Sequence, residues 1–153
     1  MSSLQVDSIS SMGGGHVDGA GKVVQFKEAV NETATTIASG TTATILTINF
    51  TPKFSDSLIL CHGFHSQDAA VVAASYCTSY IYAGTTKVIR TGAVGYLIEK
   101  LAGARFQYGY SGSIASWGTT SLAIDLDVEA NDGNWIVSLS DVKTSLYVWE
   151  IAQ

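Results

Sequence analysis

Ser121 to Glu129 reads SLAIDLDVE. Leu122, Ile124, Leu126 and Val128 occupy every second position, and Ala123, Asp125, Asp127 and Glu129 fall between them. A period of two puts the apolar set on one face of a strand and the polar set on the other, which is the pattern of a half-buried strand. A helix would mix the two sets.

The same period recurs outward from this stretch. TATILTINFT (42–51) groups Leu46, Ile48 and Phe50, and TSLYVWEIA (144–152) separates Leu146 and Val148 from Tyr147, Trp149 and Ile151. Further strands are expected in KVVQFKEAV, ETATTIA, SLILCHGFH, SYCTSYIYA, TKVIRT, ARFQYGYS and NWIVSLS. Turn-forming runs separate them: TPKFSDS with the one proline, AGTT, YSGSIASWGTT, and Asn131-Asp132-Gly133, which predicts a hairpin to the following strand. About ten short strands without an amphipathic helix predict an all-β fold, an antiparallel β-sandwich of jelly-roll type. SQDAAVVAAS (66–75) and VGYLIEKLAGA (94–104) depart from the pattern: the first reads as a helical turn or a loop that re-enters as a strand, the second as one helical turn.

Residues 1–20 differ from the rest. SSMGGGHVDGAG is glycine-rich and lacks periodicity, so 1–20 is expected to be an extended N-terminal arm and 21–153 the sandwich domain. Within the arm Leu4 and Val6 alternate, with Ile9 just beyond, as a short strand able to add to another protein's sheet edge.

Composition narrows the function. Of 153 residues, 14% are charged and 46% apolar, against roughly 25% charged in an ordinary soluble domain. Such a surface is expected to associate with copies of itself or with a larger assembly. The net charge of −5, with eight scattered basic residues, argues against a nucleic-acid partner, which requires clustered Lys and Arg. The longest apolar run, Ala69 to Ala74, has six residues, against the roughly 20 needed to span a bilayer, so no membrane insertion is expected. MSSLQVDSIS lacks a signal-peptide pattern. Cys61 and Cys77 read as free buried thiols of a protein made in a cytoplasm.

Chemistry-bearing groups are sparse. On a strand His62 shares a face with Leu58 and Leu60, whereas His65 shares one with Ile59 and Cys61, so the imidazoles diverge and no metal is expected. His16 lies in the arm. The row Asp125, Asp127 and Glu129, followed by Asp132, fits either a solvated acidic face or calcium, and its carboxylates, about 7 Å apart, fall within the loose range of glycosidase pairs. No serine sits in a GxSxG frame, and GGGHVDGAG lacks the flanking strand and helix of a phosphate-binding turn. No catalytic residue, cofactor or enzymatic activity is expected. Trp117 stands among Gly112, Ser113, Ser116 and Gly118, with Tyr108 and Tyr110 upstream. An aromatic among small residues either anchors its own fold or a subunit contact, or stacks on a receptor.

Three stretches carry a resemblance. GAGKVVQFKEAV opens the domain, ATILTINFTPKFSDSLILCHG lies in its first half, and SLYVWEIAQ closes it. In kind and order these are similar to the C-terminal β-sandwich domains of bacteriophage tail-fibre and related virion proteins, a group rich in cyanophage and marine phage members. Gly21 to Gln25, Thr51-Pro52, Ser55 to Ser57 and Glu150 to Ala152 occupy the matching places, while Gln67 to Ser121 match no family motif. The resemblance implies a virion structural protein made in the host cytoplasm, a homotrimeric tail fibre or fibre tip that joins other phage virion proteins through its arm and meets a host cell-surface glycan or protein. A capsid decoration protein is the second reading; a glycan-degrading spike is the third, and the sequence shows no groove-forming carboxylate pair for it.

Overall fold

A computed structural model of the chain describes residues 21–69, 76–90, 105–131, 133–138 and 142–153. The arm 1–20 with Leu4, Val6, Ile9 and His16, the segment VGYLIEKLAGA, Asp132 and most of SQDAAVVAAS lie outside the described residues.

The described residues form ten strands: β1 (Val23–Asn31), β2 (Thr35–Ile37), β3 (Thr41–Phe50), β4 (Leu58–Ala69), β5 (Cys77–Ala83), β6 (Thr86–Arg90), β7 (Arg105–Ala115), β8 (Leu122–Ala130), β9 (Trp135–Val137) and β10 (Thr144–Ile151). All pairings are antiparallel. β4 carries β7 along one edge; along its other edge lie β10, against Leu58 to Phe64, and β9, against Gln67 to Ala69. β1 continues outward from β10, and β2 from β9. β1 with β2, and β9 with β10, are therefore two long strands, each interrupted once. The facing sheet runs β3-β8-β5-β6.

With the interrupted strands counted as one each, the chain visits the two sheets in the order of interlocked Greek keys, the wrapping of a jelly roll. Each sheet hides one face because its strands alternate. Ile124, Leu126 and Val128 of β8 meet Ile59, Leu146 and Val148 of the other sheet in a core that also holds Trp135 and Phe50, all buried.

Two expectations from the sequence need correction. Asn131-Asp132-Gly133 predicts a hairpin, but β8 pairs with β3 and β5, whereas β9 pairs with β2 and β4 in the opposite sheet. The glycine, at φ 68°, turns the chain across the sandwich instead. Turn residues specify a change of direction, not whether the next strand pairs with the last. β7 also runs through to Ala115, so the small residues Ser111, Gly112 and Ser113 of the expected YSGSIASWGTT turn belong to a strand. Pairing with β4 supplies their hydrogen bonds.

Candidate functional site

Trp117 follows β7 in the short segment that crosses from one sheet to the other. The turn is built around its indole: Nε1 donates to the Thr120 carbonyl at 2.8 Å, Gly118 takes φ 92°, and the ring meets buried Phe50 edge-on at 6.4 Å. Trp117 is half-buried against the core. Ser116 ties this turn to the β3–β4 loop, its hydroxyl donating to the Phe54 carbonyl at 2.8 Å and its amide to the Ser57 carbonyl at 2.8 Å. Phe54 is 48% exposed at this same end of the sandwich. Composition gave no warning of it, since a single apolar residue in a turn is commonplace.

Tyr108 and Tyr110 do not join Trp117. Both stand on the inner face of β7, Tyr108 half-buried and Tyr110 buried. The five residues from Tyr110 to the end of β7 at Ala115 span about 16 Å at about 3.3 Å each. The Tyr110 ring lies over Gly63, its register partner on β4. Its hydroxyl is 3.4 Å from His65 Nδ1, and Ser79 Oγ is 3.2 Å from His65 Nε2. His65 is fully buried and bridges the two sheets, while His62 is half-buried on the outer face. The imidazoles diverge as the strand period requires.

Cys61 and Cys77 are buried and form no disulfide among the described residues, and burial pushes the Cys61 thiol up to about 12. Among the described residues no three His, Cys, Asp or Glu side chains gather as metal ligands. The acidic row lies on the outer face of β8. Thr47 Oγ1 donates to Asp125 at 2.6 Å, and the Tyr80 hydroxyl donates to Glu129. Asp127 keeps one buried oxygen without a hydrogen bond. Lys87 extends over the Tyr80 and Tyr82 rings at 4.6 and 5.5 Å.

Glu150 was unremarkable in the sequence, yet it is fully buried. Its carboxylate accepts the Lys53 and Phe54 amides at 2.9 Å and the Ser57 hydroxyl at 2.8 Å. Around it, Gln25 Nε2 donates to the Thr51 carbonyl, Lys53 Nζ to the Val24 carbonyl, and Gly21 and Ala152 join through the Gly21 amide. The three short stretches that carry the tail-fibre resemblance thus form one hydrogen-bonded corner.

No protein-family model and no curated protein matches the chain. Among solved structures it is similar to the infectious bursal disease virus VP2 subviral particle, with a TM-score of 0.53, 15% identity, and coverage of 97% of this chain and 37% of that one. The likeness is one of fold. The structure of the Gx strain of infectious bursal disease virus gives a TM-score of 0.49 and 18% identity over 82% of this chain and 32% of that one. The chain spans less than half the length of the viral chains it matches.

Proposed function

We propose that this chain is a structural component of a virus particle, a homotrimeric sandwich module of a phage tail fibre or fibre tip that takes part in host attachment, without enzymatic activity. The observation that carries the reading is the corner at Glu150. The residues shared with tail-fibre domains, far apart in sequence, are bonded to one another here, so the resemblance rests on one built unit. The VP2-like sandwich supports the coarser reading of a virion protein. The arm 1–20, through Leu4, Val6 and Ile9, is the segment that joins the particle, and the end bearing Trp117 and Phe54 is the surface offered to a host glycan or protein.

Immunogold labelling of purified particles tests this. Label on the tail is expected, and deletion of residues 1–20 is expected to leave a folded protein that no longer joins the particle. Label on the shell would assign the chain to capsid decoration, the second reading. Particles without label would overturn both.

A further inference from the structure

We draw no further inference here: the strongest candidate, the side-chain cluster of Asp125, Asp127 and Glu129 on the outer face of β8, is an acidic row that Thr47 and Tyr80 already bond at its two ends, and with no three ligand side chains gathered among the described residues the one unbonded oxygen of Asp127 is no second sign of a bound ion.

Discussion

Glu150 is a carboxylate in the position where alternation calls for an apolar side chain, and its partners explain why it is tolerated. Two amides and a hydroxyl converge on it, replacing the water it loses; hydrogen bonds to a charged group contribute about 1.5 to 3 kcal/mol each. Glu150→Ala strands those donors and is expected to cost about 3 kcal/mol, read as a lower urea midpoint at unchanged slope; a loss below about 1 kcal/mol would show that water replaces the carboxylate. Trp117 can now be weighed in the same way. Its ring packs on Phe50 while part of it faces solvent, so Trp117→Ala is expected to lower stability by about 2 to 4 kcal/mol. Full stability with loss of adsorption would make it a receptor contact instead. Tyr110 gives a pH effect with a definite sign. Burial, the largest cause, raises its hydroxyl above the ordinary 10.0. Below pH 10 folded and unfolded chains both keep the proton; above it the unfolded chain releases one that the folded chain holds. Stability therefore falls as pH rises past 10, by up to about 1.4 kcal/mol per pH unit. Tyr110→Phe is expected to flatten that slope in urea titrations between pH 9 and 11.

At the scale of elements, every strand that alternation marked is present, because a period of two is imposed locally by the pleat and by a core on one side. Partnership was not legible. The Asn131 to Gly133 turn looks alike whether β9 pairs with β8 or crosses the sandwich, and the small residues of β7 look like a loop until β4 lies beside them. Gly63 shows what those long-range pairings demand. A Cβ there would stand 2.7 and 2.8 Å from Tyr110 Cε2 and Cζ, and the ring is held by its hydroxyl contact with His65. Gly63→Ala is expected to cost about 1 to 3 kcal/mol by overpacking. Chemical denaturation of Gly63→Ala combined with Tyr110→Val checks the cause: recovery of part of the loss is the expected result. Equal losses with and without the ring would place the strain in the backbone.

For the whole molecule, alternation along each strand foretold two layers and a core, while the corner at Glu150 depends on residues that meet only after the chain has wrapped. That wrapping places β10 between β1 and β4. β1 and β4 have no direct pairing; both depend on β10 to close the sheet. Without β10 the sheet therefore stays open between β1 and β4. A chain cut before Thr144 is expected to remain protease-sensitive, and the chain through Gln153 to be protected; protection of the cut chain would show that the other strands close without β10. β10 is thus the keystone of its sheet: a chain that loses it keeps the other strands but not the piece that locks β1 to β4.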